Sequence, residues 1–588
     1  MAANSRLFVD GTRRSKGDQA RRYNLLAARL IAELIRNSLG PRGLEKMFVD
    51  IMGEVTVTKD GATLLRKIDV EHPAAKVIIE ASNAVDNEVG DGTTSVVVLT
   101  GALVQKAEEL LDMGIAPSTI ADGYLQGLDI ALESLSNISK EYDNTDRQIM
   151  QRIAQTCLAS KAIGYDDKVA GLAVDAVCSI ANFGSSSIDI DDIKIEEKEG
   201  TILNTQLVLG IIVDKTIDSS AMPRAVENAK IMLINDELEG KRTRTDAEIR
   251  ITSPDQIKSY SDAQTLMIKS KLQHITDSGA NVVFSRKGIN TLAQHLLTKA
   301  GIISVRRVKE NDLLWLAKAT GATISEKLDH EHQDHHEHGH DRHHNDDHGH
   351  HHDDHYHHGD IDIKLGYAQQ VCEKQVGNDR MVFVEGCKNP KAVTLLLRAN
   401  SKRTLDEYHR SVIDAISVLR DFIVKPSVIA GGGAAEAAIA RIVREKASFI
   451  PGREQIVVQK FAEALEEIPL TIARNAGMDV IDSLAQLRSQ HSNGKASSYG
   501  VNAIERKVDE MLPSIIEPTV VKEQVIKTAV EVTNLLVRVD DVLMAKPTMY
   551  THTHSNGTKH SHAGGDKEHQ HDHFDRLGRQ QRPAHHYY

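Results

Sequence analysis

The sequence predicts a multidomain α+β protein, helical at both ends of the chain and α/β in between. Three observations lead there. Apolar residues recur at helical spacing in the first quarter and the last third of the chain. Short β-like runs alternate with helical patterns in the middle. The length of 588 residues exceeds what one core usually serves. One economical arrangement is a helical domain assembled from both chain ends, with the other domains inserted between them.

Taken in order, residues 17 to 38 predict a helix, because Leu26, Leu30 and Leu34 recur four apart, as do Ile31 and Ile35. Gly40 and Pro41 stop it. EVTVTKDGAT, residues 54 to 63, predicts a short strand and a turn. Helices follow at 74 to 87, 94 to 113 and 117 to 137. The β-like runs of the middle are 206 to 215, 230 to 236, 281 to 287 and 302 to 308, with helical patterns at 288 to 299 and 311 to 319. Strands at 381 to 386 and 392 to 398 come next. The last third predicts helices at 404 to 424, 434 to 448, 454 to 475 and 518 to 545.

Composition bounds the function. Apolar content is 40% but aromatics only 4%, with a single Trp, so the cores are aliphatic. A net charge of −12 argues against a general nucleic-acid binder. The four cysteines, Cys157, Cys178, Cys372 and Cys387, form no CxxC pair and suit a reducing compartment. The first residues lack the apolar core of a signal peptide, and no run of about 18 apolar residues exists. A soluble cytoplasmic protein with no membrane or nucleic-acid partner is expected.

Two stretches are of low complexity. Residues 330 to 358 hold 15 histidines and eight acids against one arginine, and the tail from Thr551 to Tyr588 holds nine more histidines. Neither has enough apolar surface to offset the entropy of ordering, so both are expected to be disordered.

The chemistry-bearing motif is GDGTTS, residues 90 to 95, between two helical patterns. Its glycines allow close backbone approach, and the following helix offers unpaired N–H groups to phosphate. Asp91 suits Mg²⁺, and Thr93, Thr94 and Ser95 are possible phosphate donors. A tight turn with an N-cap explains the same residues. No GxxxxGK[ST] occurs, so this is not the common P-loop. NSLGPRG (37 to 43), TKDGAT (58 to 63) and IAGGGAAE (429 to 436) are further loops at helix boundaries, each also compatible with a plain connection.

LGPRGLEKMFVD, TKDGATLL, GDGTTSVVVLTG, FVEGCKNPKAVTLLLR, GGGAAE, FAEALEEIP, NAGMD and VRVDDVL, in that order, resemble the group II chaperonins, archaeal thermosome subunits above all and the eukaryotic cytosolic chaperonin at greater distance. The likeness spans about residues 17 to 546 with one interruption. It implies equatorial, intermediate and apical domains: equatorial 1–145 and 401–550, intermediate 146–216 and 367–400, apical 217–366 with a histidine-rich insertion at 329–360, and a tail at 551–588. It also implies two stacked rings of eight or nine subunits, homo- or hetero-oligomeric, that enclose non-native proteins and are driven by ATP and Mg²⁺.

By motif, the resemblance implies that Asp91 holds Mg²⁺ and that Gly92, Thr93, Thr94 and Ser95 hold phosphate. Gly40 and Pro41 form a second nucleotide contact, and Gly432 and Gly433 lie against sugar and base, with Asn502 in the ribose loop. Asp60 and Asp414 act on the attacking water, and Lys161 senses the γ-phosphate. From the residues alone, Asp414 reads as an exposed charge on an amphipathic helix. Residues 238 to 257 resemble the helical lid protrusion. Ile289, Leu292 and Leu296 read as core positions of a helix whose counterpart in the family faces clients.

The chain also departs from the family. Ala399-Asn400 replaces a Gly-Gly near a hinge, where alanine forbids the positive φ glycine permits. Arg474 stands where an acid is usual. Asn502 replaces an acid, and the glycine usual nearby is missing. The histidine block interrupts a connection that is short in the family, which puts it outside the ATP machinery. It is expected to be a neutral loop, a Zn²⁺, Ni²⁺ or Cu²⁺ binder through residues such as His335, His336, His338, His340, His350, His351 and His352, or a pH sensor. The leading function is an ATP-hydrolysing folding machine. The rivals are a metal buffer on the same scaffold and a noncatalytic ring subunit.

Overall fold

The computed structural model describes residues 13–161, 163–164, 166–181, 183, 188–239, 254–326, 328, 364–388, 390–492, 497–544, 549–553 and 559–563. Helices from the two chain ends share one aliphatic core. Gly17–Arg36, Pro73–Val89, Thr93–Asp112 and Pro117–Ile138 pack with Ala434–Ala447, Glu454–Asn475 and Thr519–Arg538. Thr93–Asp112 lies at its centre. It carries three successive valines, Val96 to Val98, which disfavour helix locally, but all three are buried and packing outweighs propensity. Gly101 lets the first helix come close, since a Cβ there would meet the Ala32 Cβ at 2.2 Å.

The middle of the chain builds two sheets. A seven-stranded sheet runs in the order Ile303–Val305, Val282–Ser285, Ala225–Ile234, Gly366–Val376, Asp379–Glu385, Gly210–Val213, with Ile324–Ser325 also paired to Ala225–Ile234. Its first three strands are parallel and connected through helices, the α/β pattern expected. A three-stranded sheet has Val393–Ala399 between Ile193–Glu199 and Gln206–Val208. It shares a core with helices Arg147–Ala159, Asp167–Ile180 and Lys402–Val424.

Several boundaries differ from the sequence reading. Residues 206 to 215 form two strands in different sheets, because the chain turns at Leu209 and Gly210 lies against the Val384 carbonyl, where a Cβ would come within 2.0 Å. The final helix ends at Arg538 rather than 545. Asp541–Met544 pairs instead with Arg13–Lys16, a partner more than 500 residues away in sequence. Met549–Thr553 pairs antiparallel with Lys559–Ala563, so strand reaches into the tail expected to be disordered from Thr551, where Tyr550, Thr551 and Thr553 favour strand.

Ile289 precedes its helix rather than lying on it, and pairs with Leu238 as an isolated bridge. On Thr291–Lys299 the core positions are Ala293 and Leu297, while Leu292 and Leu296 are only partly buried. Ala399 ends a regular strand, and neither it nor Asn400 adopts positive φ, so the absent glycines cost this conformation nothing. Most of the proposed lid segment, 240–253, lies outside the described residues, as does the whole histidine block with His335, His336, His338, His340, His350, His351 and His352. The block's two ends sit side by side: the Thr323 N–H donates to the Lys364 carbonyl at 3.0 Å, and the Lys364 N–H donates to Thr323 Oγ1 at 3.0 Å.

Candidate active site

One cleft, enclosing about 1380 Å³ including its mouth, gathers the motifs from every part of the chain. Gly40, Pro41, Asp60, Asp91, Gly92, Thr93, Thr94, Ser95, Lys161, Gly432, Gly433 and Asn502 all line it. Asp414 does not, but its Oδ2 lies 2.7 Å from Lys161 Nζ at the cleft's inner wall.

The loop at 90 to 92 is shaped by two left-handed glycines, Gly90 at φ 70° and Gly92 at φ 85°. Substitution would be obstructed at both: a Cβ at Gly90 would meet Ser417 at 2.3 Å, and one at Gly92 would meet Val525 at 2.6 Å. Gly92 caps the buried helix Thr93–Asp112, so that helix presents its open N–H groups to the cleft. On the other side, Gly432 and Gly433 adopt φ 64° and 75° where a strand hands over to helix Ala434–Ala447. Two helix N-termini therefore face one space, a setting suited to anionic ligands.

The charged groups are buried and interlocked. Asp60 caps helix Gly61–Lys67 with Oδ2 accepting from the Thr63 N–H at 2.8 Å, while Thr93 Oγ1 donates to Oδ1 at 3.2 Å. Burial alone would raise its pKa, but Lys161 and the bonds from Thr63 and Thr93 hold it below the usual carboxylate range. Asp414 is pushed up to about 8, first by burial, with Asp60 and Asp91 adding to the rise and Lys161 opposing it. Burial would lower the Lys161 pKa, yet Asp414 and Asp91 hold it well above the ordinary value. Lys161 Nζ also reaches Asp91 Oδ1 at 3.3 Å.

Asp91, with Asp60 and Asp414 nearby, offers the hard oxygens that Mg²⁺ takes when it shares its shell with phosphates. Among the described residues no group of three His, Cys, Asp or Glu side chains forms a self-sufficient metal cage.

Sequence reasoning missed several contributors. Lys522, buried, bridges Glu436 at 2.8 Å and Glu517 at 2.9 Å, and both Lys522 and Glu517 line the cleft. Their only signal was charge within the otherwise apolar pattern of IEPTVVKEQ. Asn475 Nδ2 donates to the Arg36 and Leu39 carbonyls at 3.0 and 2.9 Å, and Lys59 Nζ donates to the Pro41 carbonyl at 3.1 Å, so both pin the Gly40-Pro41 loop. Cys157 also lines the cleft, and burial followed by Asp91 raises its pKa, keeping it a thiol. Arg474, which stands where an acid is usual in the family, does not line the cleft and pairs with Glu467 at 3.2 Å. In the turn of the hairpin that carries Asn502, Arg506 adopts φ 55°.

A sequence model of the TCP-1/cpn60 chaperonin family matches residues 31–547. The chain is 43% identical to a thermosome subunit alpha of Archaeoglobus fulgidus over 545 residues, covering 92% of this chain and 94% of that protein. It is 42% identical to a thermosome subunit alpha of Aeropyrum pernix over 549 residues, 91% and 93% of the two chains. A thermosome subunit of Methanopyrus kandleri is 43% identical over 545 residues, 92% of this chain and 94% of that one. With the family matched across nearly its whole length and the motifs converging on one cleft, the chain belongs to the TCP-1/cpn60 chaperonin family, as a group II chaperonin.

Proposed function

We propose that this ATP-dependent chaperonin hydrolyses ATP in the cleft described above and uses the cycle to fold non-native proteins inside a closed ring assembly. One observation carries the reading: Asp60 and Asp91, from the helical core, meet Lys161 and Asp414, from the core of the three-stranded sheet. The helix N-termini and Thr93, Thr94 and Ser95 bind the phosphates. Mg²⁺, when bound at Asp91, supplies charge neutralisation of the phosphates. Asp60, held ionised by the charge of Lys161 and by its hydrogen bonds, orients the attacking water, and Asp414, with its raised pKa, is the better matched to accept its proton. Because the site closes only when both cores present their groups, the nucleotide state sets how the two cores sit against each other.

Asn502, Gly432 and Gly433 suit the sugar and base side of the cleft, opposite the carboxylates. The equatorial, intermediate and apical division is part of this reading; separate cores for the chain-end helices, the three-stranded sheet and the seven-stranded sheet support it, although Gly210–Val213, Gly366–Val376 and Asp379–Glu385 pack in the seven-stranded sheet and helix Lys402–Val424 packs with the three-stranded one.

Exposed apolar surface supports assembly and client capture. The hairpin Lys46–Val49 and Val55–Thr58 exposes Met47, Val49, Ile51 and Met52, and helix Gly17–Arg36 exposes Tyr23, Leu26, Leu30 and Leu34. Patches of that kind suit burial against neighbouring subunits, here in two stacked rings of eight or nine. Leu266 and Met267 are exposed on helix Pro254–Asp277, Leu292 and Leu296 are partly buried on Thr291–Lys299, and such apolar surface suits unfolded chains. A cytoplasmic location accords with four free cysteines. No helix among the described residues is long and apolar enough to cross a membrane. The metal-buffer reading is not favoured, because the family match accounts for the rest of the chain. Zn²⁺ or Ni²⁺ binding remains a proposal for the histidine-rich segments alone.

The test is refolding of a denatured client by the purified untagged protein, with and without ATP. Refolding that requires ATP, with turnover abolished by Asp414→Ala, is expected. Turnover that persists in that variant overturns the assignment of Asp414. Absence of turnover in the unaltered ring leaves the chain a noncatalytic subunit.

A further inference from the structure

Helix Lys402–Val424 carries three buried acids seven residues apart, Glu407, Asp414 and Asp421. That spacing is two turns, so they share one face. Asp414 is the central one. The outer two do not line the nucleotide cleft, yet a carboxylate is costly to bury unless it is paired.

Each outer acid ties the helix to a loop that brings a carboxylate to the cleft. Glu407 Oε2 accepts from Thr58 Oγ1 at 3.1 Å, and the same Oγ1 accepts from the Asp60 N–H at 3.0 Å. Arg410 Nη2 donates to that Oε2 at 2.5 Å and balances its charge. At the other end, Asp421 Oδ1 accepts from Arg420 Nε at 2.9 Å and from Arg420 Nη2 at 2.7 Å. Arg420 Nη2 also donates to the Glu88 carbonyl at 2.6 Å. That carbonyl lies in the last turn of helix Pro73–Val89, where a helix leaves its acceptors open, and the chain runs on through Gly90 to Asp91. Among the described residues this is the one side-chain hydrogen bond from helix Lys402–Val424 to that helix or to residues 90–92. Between the two ties, Ser417 lies so near Gly90 that a Cβ on the glycine would meet it at 2.3 Å.

We propose that Arg420 and Glu407 are positioning residues for ATP hydrolysis, clamping the helix of Asp414 onto the loops that carry Asp91 and Asp60. The helix packs in the core of the three-stranded sheet, while Leu64, Leu65, Val85 and Val89 beside the two loops pack in the core of the chain-end helices. The two ties therefore cross from one core to the other and fix where Asp414 meets the other carboxylates. A misplacement of about 1 Å in such a constellation costs up to about a hundredfold in rate. The inference rests on the hydrolytic reading of Asp60 and Asp414.

The test is steady-state ATP turnover by the assembled full chain, with the stoichiometry of ATP binding measured alongside. Wild type and Asp414→Ala come first: no turnover in wild type, or turnover retained without Asp414, overturns that reading and this inference with it. Given turnover that needs Asp414, Arg420→Gln should lower kcat about tenfold or more while KM for ATP stays within about threefold. Arg420→Lys, which can still donate to the Glu88 carbonyl, should recover part of the loss. Thr58→Val, which cuts the other tie and leaves Glu407 paired with Arg410, should act in the same direction. The deciding readout is the double variant. In an Asp414→Asn background, Arg420→Gln should lower the residual turnover by less than about twofold, because it acts through Asp414. A loss there as large as in the wild-type background, or a wild-type kcat in Arg420→Gln, overturns the proposal. Adding Asp421→Asn to Arg420→Gln removes the buried charge together with its partner, and keeps the test decisive should Arg420→Gln alone fail to assemble.

Discussion

Asp414 shows how a single side chain changes meaning once its surroundings are known. On helix Lys402–Val424 its spacing is that of a solvated charge, but the structure buries it against Lys161 and beside two further carboxylates. Its raised pKa has a sign that can be checked. The carboxyl is protonated below about 8 and ionised above it, and only the ionised form accepts a proton. ATP turnover should therefore climb as pH rises towards that value, with the midpoint drawn lower where Mg²⁺ neutralises Asp60 and Asp91. Steady-state turnover against pH checks this, and Asp414→Asn should give a low, flat profile. A wild-type profile that falls with rising pH contradicts the role given to this group. The same burial explains Lys161: without its ammonium, three acids would share one dry corner.

At the scale of elements, the hairpin Tyr499–Asn502 and Lys507–Glu510 carries one wall of the cleft, and its turn contains the clearest local conflict between sequence and backbone. Arg506 holds a left-handed conformation that glycine adopts freely and a larger residue resists by about 1–2 kcal/mol. Asn502 Oδ1 accepts from the Glu505 N–H at 3.1 Å and steadies the turn. Arg506→Gly should raise the thermal midpoint of the assembled protein modestly, because relief of strain outweighs the extra freedom of the unfolded chain. Differential scanning calorimetry measures it, and a lower midpoint would show that the turn is not strained. Helix termini follow the same logic with better agreement. Asp60, Asp146, Asp166 and Ser401 each cap a helix through their side chains, as their residue types favour.

For the whole molecule, the cleft and the two points where the histidine block joins the described chain lie in separate parts of the fold. The block leaves after Leu328 and returns at Lys364 beside the seven-stranded sheet, and no residue of that sheet lines the cleft. Replacing 329–363 with a short Gly–Ser linker should leave ATP turnover and ATP-dependent refolding unchanged at neutral pH. Zn²⁺ or Ni²⁺ uptake, measured by dialysis, should fall if the histidines bind metal. Lost turnover in that variant would tie the block to the machine. Helical ends, an α/β middle and the cleft's glycine loops were legible in the sequence, because helical periodicity, strand alternation and glycine each have a local physical cause. The pairing of Arg13–Lys16 with Asp541–Met544, the split of residues 206 to 215 between two sheets and the Lys522–Glu436–Glu517 network were not. Each depends on partners brought together only by folding. The sequence alone determined most of which segments are helix, strand or glycine-rich loop, whereas tertiary structure decided which charges are buried together, since burial and the fields of distant residues belong to the packed molecule.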